Sequence, residues 1–296
     1  MFCKWVKKMK INETCEACLL SKHTNKYPRT APVDKVAEYQ NAVNAFVENN
    51  KDKSAPEIAA ELDRIHFEFF GVKDDFSEDK KYYNELMLSL ENDILRSVEK
   101  ASDPLLMAVR YAMIGNFIDF GAMNNVDADK LRELLDGAYG IDVDMDVIES
   151  LREEIMRAGR MVYFTDNCGE IVADKALMNV IKNINPNINI TAIVRGDPVF
   201  NDATMDDAIQ VGLERVADEV FGNGSDIPGN VLDRVSERTL EAIKKSDFFI
   251  SKGQGNYESL SDSGLNIYYI FMCKCSRFVE KFNRPLYSGM ITKELN

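Results

Sequence analysis

Residues 161–170 read MVYFTDNCGE. Four apolar residues, Met161 to Phe164, stop abruptly against Thr165, Asp166 and Asn167; Gly169 and Glu170 then follow Cys168. A short continuous apolar run is how a strand buried on both faces of a parallel sheet reads. Its polar end marks the carboxyl edge, where open α/β sheets bind ligands. The pattern recurs twice. In TAIVRGDPVFNDAT (191–204) an apolar run ends at Arg195 and the chain then delivers Asp202. In FFISKGQGN (248–256) it ends at Lys252. Two acids, an amide and a lysine at three strand ends point to a hard cation beside an anionic substrate.

Around these stretches strands and helices alternate. The spacing predicts strands at 160–165, 188–194, 215–219, 247–251 and 266–271. Helices are expected at 170–183, 204–213, 232–245, 255–261 and 276–282. Such alternation implies right-handed crossovers and a parallel sheet covered on both faces. The chain before residue 146 reads as helical. Apolar spacing predicts a helix over 33–50; Ser54 with Pro56 opens another that runs to Phe70 before Gly71. Ser77 is expected to cap a helix reaching Lys100, Asp103 with Pro104 one ending near Phe120, and Asp127 one closed by Gly140. A linking helix is expected at 146–158. The fold class is therefore α/β, with a mainly helical region (1–145) packed on a three-layer α/β/α domain with a mainly parallel sheet (146–296).

The bulk numbers exclude some classes. A net charge of −13 over 296 residues argues against nucleic acid, whose phosphates need clustered Lys and Arg. No apolar run approaches the roughly 20 residues of a membrane span. The basic opening, MFCKWVKKMKINE, lacks the apolar core of a signal peptide. Six cysteines in such a chain suggest reduced thiols in a cytoplasm.

Asp166, Asn167 and Asp202 offer oxygen ligands, which suit magnesium, manganese or a similar octahedral ion. The two histidines, His23 and His66, lie away from the strand ends, so a histidine-rich zinc site is not expected. The plainer alternative is that Asp166 caps the following helix and Asn167 sits in a turn. Gly253 would let the backbone approach an anion, with Lys252 and Arg195 as cations. Asn116 and Asp119, three apart, share a helix face; they belong either to a helix–sheet hydrogen-bond network or to a lid that touches substrate. The loop GNGSDIPGN (222–230) is rich in turn formers and is expected at the site mouth. Cys15-Glu-Ala-Cys18 and Cys273-Lys-Cys275 would make a zinc site only if the chain ends meet, and the second spacing is tight for one tetrahedral ion.

Taken together, TDNCGE, FNDAT around Asp202, SKGQGN and GNFIDFG resemble the damage-control phosphatases, also known as domain of unknown function 89. The C-x-x-C and Lys274-Cys275 are similar to its prokaryotic subgroup. The resemblance spans residues 15 to 275. It implies a helical N-terminal region on a Rossmann-like domain. It also implies a metal-dependent phosphatase of small phosphorylated metabolites, such as sugar phosphates or damaged cofactor intermediates. By position it places metal ligands on Asp166, Asn167 and Asp202, a Lys-Gly and Asn on Lys252, Gly253 and Asn256, and a Gly-Asn and Asp on Gly115, Asn116 and Asp119. The cofactor implied is a divalent ion: manganese, magnesium, cobalt or nickel. With Asp166, Asp202 and Lys252 as the catalytic set, the attacking group is a metal-polarised water or one of the two aspartates. Asn116, Asp119, Arg195, Lys252, Gly253 and Asn256 would bind substrate. Two rival readings remain: a carboxyl methyltransferase using S-adenosylmethionine, and a non-catalytic metal- or metabolite-binding protein. The sequence leaves the oligomeric state open.

Overall fold

The structure, a computed structural model, describes residues 8–117 and 128–294. The expected Asp119 falls outside them. Seven helices precede the sheet in the described residues: α1 (Glu13–His23), α2 (Val33–Asn49), α3 (Ala55–Phe70), α4 (Ser77–Lys100), α5 (Pro104–Gly115), α6 (Ala128–Asp136) and α7 (Met145–Arg157). Alternation then begins with β1 (Arg160–Phe164), α8 (Glu170–Ile184), β2 (Asn189–Val194), α9 (Met205–Val211), β3 (Glu219–Gly222) and α10 (Glu237–Lys245). It finishes with β4 (Phe248–Lys252), α11 (Gln254–Leu260), β5 (Ile267–Met272), α12 (Ser276–Phe282) and β6 (Gly289–Glu294).

Local chemistry explains the helix ends. Ser54 and Glu57 form a reciprocal capping box on α3, Pro56 sits in its first turn, and Gly71 closes it in the left-handed region at φ 68°. Asp103 caps α5 by accepting from the Leu106 amide at 3.1 Å. Ser77 does not cap α4 as expected. It is the first helical residue, and its amide is held by Asp75 Oδ1 at 2.9 Å. The strand expected at 215–219 begins at Glu219, because Leu213–Arg215 tighten into a 3-10 turn after Gly212. The helix expected from 232 starts at Glu237, where Ser236 accepts from the Thr239 amide.

The strands form one six-stranded sheet in the order β3-β2-β1-β4-β5-β6. Every neighbouring pair is parallel except β5 with β6. The antiparallel β6 had no counterpart in the sequence reading. The strands alternate between two cores, as a period of two requires. Met161, Tyr163, Ile190, Ala192, Phe248 and Ile250 face the layer that contains α4, α5, α7 and α8. Val162, Phe164, Ile193, Phe249, Tyr269 and Phe271 face the layer of α10, α11 and α12. Three N-terminal helices, α1 to α3, enclose a core of their own, and α3 reaches the sheet domain through Ala60, which packs on Ile227 and Val231. Because β1 is flanked by β2 on one side and β4 on the other, its carboxyl end is the point where the crossovers diverge.

Candidate active site

Backbone pairing continues past the strand ends at this switch point. Ala203 N donates to Asp166 O at 2.7 Å and Cys168 N to Asn201 O at 2.8 Å, with Asn167 opposite Asp202 in an antiparallel bridge. Two loops that follow parallel strands thus turn antiparallel, and Asp166, Asn167 and Asp202 come together. All three are buried, Asp166 at 9% exposure. Asp166 does not cap α8; Gly169 occupies that cap position without a side-chain bond. Asp166 Oδ2 instead accepts from Asn116 Nδ2 at 2.9 Å and Asn167 Nδ2 at 3.0 Å. Its Oδ1 faces Arg195 Nη2 at 3.7 Å.

Burial, reinforced by Asp202 and Glu170, pushes the Asp166 carboxyl up to about 8 against the pull of Lys274 and Arg195. Arg195 is itself 1% exposed. Its Nε donates to Asp202 Oδ2, and its Nη2 to Asn256 Oδ1 at 3.2 Å. Asn256 also donates to Thr165 O and Lys252 O at 3.0 and 2.7 Å, locking β1 to β4. Its carbonyl further accepts from Asn230, which in turn accepts from Asn223. The 222–230 loop is thereby wired to the arginine that holds Asp202.

Gly253 has a steric reason. Its φ is +80°, and a Cβ built there would lie 1.9 Å from Asp166 Oδ2, so the position admits only glycine. Gly115 lets α5 press on α8, where a Cβ would meet Glu170 Cγ at 3.2 Å. That approach puts Asn116 wholly inside, donating to Asp166 and to Glu170 Oε2 (2.8 Å) and accepting from Met272 N at 3.1 Å. Of the two expectations for Asn116, the structure places it in the helix–sheet network.

Lys252 stands behind the acids at 0% exposure. It donates to Ala112 O at 2.8 Å, to Asp174 Oδ1 at 2.8 Å and to Glu170 Oε1. All three ammonium donors are engaged, so the expected grip on phosphate is not its place in this structure. Burial opposes its charge, but Asp174 and Glu170 outweigh burial and hold it above the ordinary lysine value. Burial lifts Asp174 to about 6 while Lys252 pulls it down. Tyr163 donates to the same Asp174 Oδ1 at 2.7 Å.

Sequence reasoning missed Glu170, Asp174 and Lys274. Lys274 follows β5, so the same strand-end logic would have found it; its charge acts on Asp166. The chain ends do approach one another, with Arg277 Nη1 donating to Cys15 Sγ at 3.0 Å. The sulfurs nevertheless form no metal group: among the described residues no three His, Cys, Asp or Glu side chains are gathered for an ion. The candidate donors at the switch point are of another composition, two carboxylates and one amide. They fit a hard divalent ion, because carboxylate and amide oxygens are the ligands such ions take.

With this geometry in place, comparison identifies the class. Residues 11–288 match the damage-control phosphatase ARMT1-like domain. The chain therefore belongs to the damage-control phosphatase family, and it is a phosphatase. It is 31% identical over 275 residues to a damage-control phosphatase of Archaeoglobus fulgidus, covering 90% of this chain and 93% of that one. A damage-control phosphatase of Pyrococcus horikoshii is 30% identical over 246 residues, covering 82% and 83% of the two chains. The fold also matches a crystal structure of a Pyrococcus horikoshii protein of the same domain of unknown function 89. The TM-score is 0.81 and the identity 27%, over 96% of this chain and 99% of that one.

Proposed function

We propose that this phosphatase is metal-dependent and hydrolyses phosphate monoesters of small metabolites, sugar phosphates or damaged phosphometabolites. The observation that carries the reading is the pair Asp166 and Asp202, buried and pinned together by loop pairing with Asn167 between them. Asp166, Asn167 and Asp202 would hold the ion: manganese, magnesium, cobalt or nickel. Such an ion supplies polarisation of a phosphoryl oxygen and neutralises charge developing there.

The chain's own residues do the rest. Arg195, fixed by Asp202 and Asn256, brings a guanidinium to the acids and is the group we assign to the phosphate. Lys274 adds a second positive charge from the end of β5. Gly253 keeps the ground in front of Asp166 open, because any side chain there would occupy it. Lys252 acts from behind by balancing Glu170 and Asp174. Among the described residues no helix is long and apolar enough to cross a membrane. Five cysteines there are free thiols, which supports our placing the enzyme in the cytoplasm. The test is phosphate release from p-nitrophenyl phosphate and a sugar-phosphate panel by EDTA-stripped protein, with each divalent ion restored in turn. Release that requires an added ion and disappears in Asp202→Ala supports the reading. Release that persists after stripping refutes metal dependence, and methyl transfer from S-adenosylmethionine without phosphate release would refute the class of reaction.

A further inference from the structure

An amide has one donating and one accepting end, and a metal ligand must present the accepting one. Asn167 shows how this chain makes that choice. Its Nδ2 donates to Asp166 Oδ2 at 3.0 Å and to Glu170 Oε2 at 2.9 Å. Both amide hydrogens are thereby taken by carboxylate oxygens. Among the described residues Asn167 Oδ1 has no hydrogen-bond partner. Turned the other way, the carbonyl oxygen would face two acceptors.

Glu170 is the hub of this arrangement. Its Oε2 also accepts from Asn116 Nδ2 at 2.8 Å and from the Asn167 backbone amide at 3.3 Å. Its Oε1 is held by Lys252, and Lys252 is anchored by Ala112 O and Asp174. Donors on both of its oxygens fix the orientation of this carboxylate, which is wholly buried. It is the first residue of α8, set immediately behind the loop that carries Asp166 and Asn167.

We propose that Glu170 is the positioning residue that turns the Asn167 amide so that Oδ1, not the NH2 group, is presented to the divalent ion. The inference rests on the metal-dependent reading above. Outer partners of this kind typically change metal affinity by 10–100-fold. The test is Mn2+ binding by titration calorimetry to the EDTA-stripped full chain, with circular dichroism and metal-free melting as folding checks. Glu170→Gln puts an NH2 group against either the two asparagine donors or Lys252. Glu170→Asp keeps the negative charge beside Lys252 but, one methylene shorter, withdraws the oxygen from Asn167; it serves where the glutamine variant does not fold. Each is expected to weaken Mn2+ binding tenfold or more. Asp174→Asn, which perturbs the same lysine but touches neither asparagine, is expected to bind Mn2+ within about threefold of wild type, below that 10–100-fold range.

A folded Glu170→Gln or Glu170→Asp that binds Mn2+ as wild type does overturns the proposal. An equal loss in Asp174→Asn also overturns it, since the effect would then belong to buried charge in general. If wild type takes up none of Mn2+, Mg2+, Co2+ and Ni2+, the metal-dependent reading fails and this inference with it. Intact wild-type binding with unaffected Glu170 variants refutes the positioning role alone.

Discussion

The N-terminal helices and the carboxyl edge of the sheet are both buried, and they are built on opposite principles. In the first, Tyr39, Val43, Val47, Ile58 and Leu62 fill an apolar core, and Tyr39 sits edge-on to His66, Phe69 and Phe70. Its polar groups are few: Tyr39 Oη donates to His23 O at 2.8 Å, while among the described residues the buried His23 Nδ1 has no hydrogen-bond partner. In the second, Asp166, Asn167, Glu170, Asp174, Arg195, Asp202, Lys252 and Asn256 crowd the interior. Apolar burial stabilises by area, about 25 cal/mol per Å2. Buried acids cost stability unless a partner offsets them. One region therefore holds the fold, and the other holds chemistry at the fold's expense.

Four measurements would break or sharpen that contrast, beginning with the largest effect. Asp202→Ala is expected to lower phosphate release by roughly a hundredfold or more, the scale of losing one fixed charge-stabilising group. Its circular dichroism should match wild type, and activity that survives saturating metal would remove Asp202 from the site. Next, Leu62→Ala in the N-terminal core should cost about 3 kcal/mol in urea denaturation while Mn2+ affinity stays unchanged. A coupled loss of metal binding would show that the two regions are not separable.

The third measurement concerns Asp166 in metal-free protein. Its carboxyl titrates at about 8 when folded against an ordinary 3.8. The unfolded chain thus releases this proton earlier, and stability falls as pH rises between those values. Asp166→Asn should be more stable than metal-free wild type by about 2–3 kcal/mol at pH 8, with a flatter profile across that window. Equal profiles would mean that the acid is not strained by burial. The smallest effect is expected at His23. Burial outweighs Asp63 and lowers it from 6.5 to about 4. It is neutral in the fold, so stability is complete above pH 6.5 and declines as pH falls towards 4. His23→Gln should remove about 2 kcal/mol of that decline, read from melting between pH 7 and 4, with no change in phosphate release at neutral pH.

The same contrast governs what the sequence disclosed. Strands β1, β2, β4 and β5 were readable because each is buried on both faces and reads as an apolar run. The ends of α3 were readable because Ser54, Pro56 and Gly71 act locally. Asp166, Asn167, Asp202 and Arg195 were found from their places after strands, and the structure brings them together. Helix α1 escaped, since ETCEACLLSKH is mostly polar and buries only Cys15, Leu19 and His23. Strand β6 escaped because GMITKE at a sheet edge carries no continuous apolar run. The layer behind the acids was hidden for a different reason. Glu170 and Asp174 lie on one face of α8, and only the packing of α8 against β4 gives them Lys252 as partner. Read alone, a lysine before a glycine looks like an anion grip; its three engaged donors appear only in three dimensions.

Contacts between residues far apart in sequence decide when the first described helix is fastened. Met9 N donates to Glu258 O at 3.0 Å, Arg277 Nη2 to Lys10 O at 2.6 Å, and Arg277 Nη1 to Cys15, which lies 262 positions earlier. On a ribosome that adds about 5–20 residues per second, the first helix waits on the order of tens of seconds for the partners that fasten it. Until then Cys15 lacks the Arg277 guanidinium that covers it. Translation speed over the whole stretch between Cys15 and Arg277 therefore sets how long this part of the nascent chain stays open to chaperones.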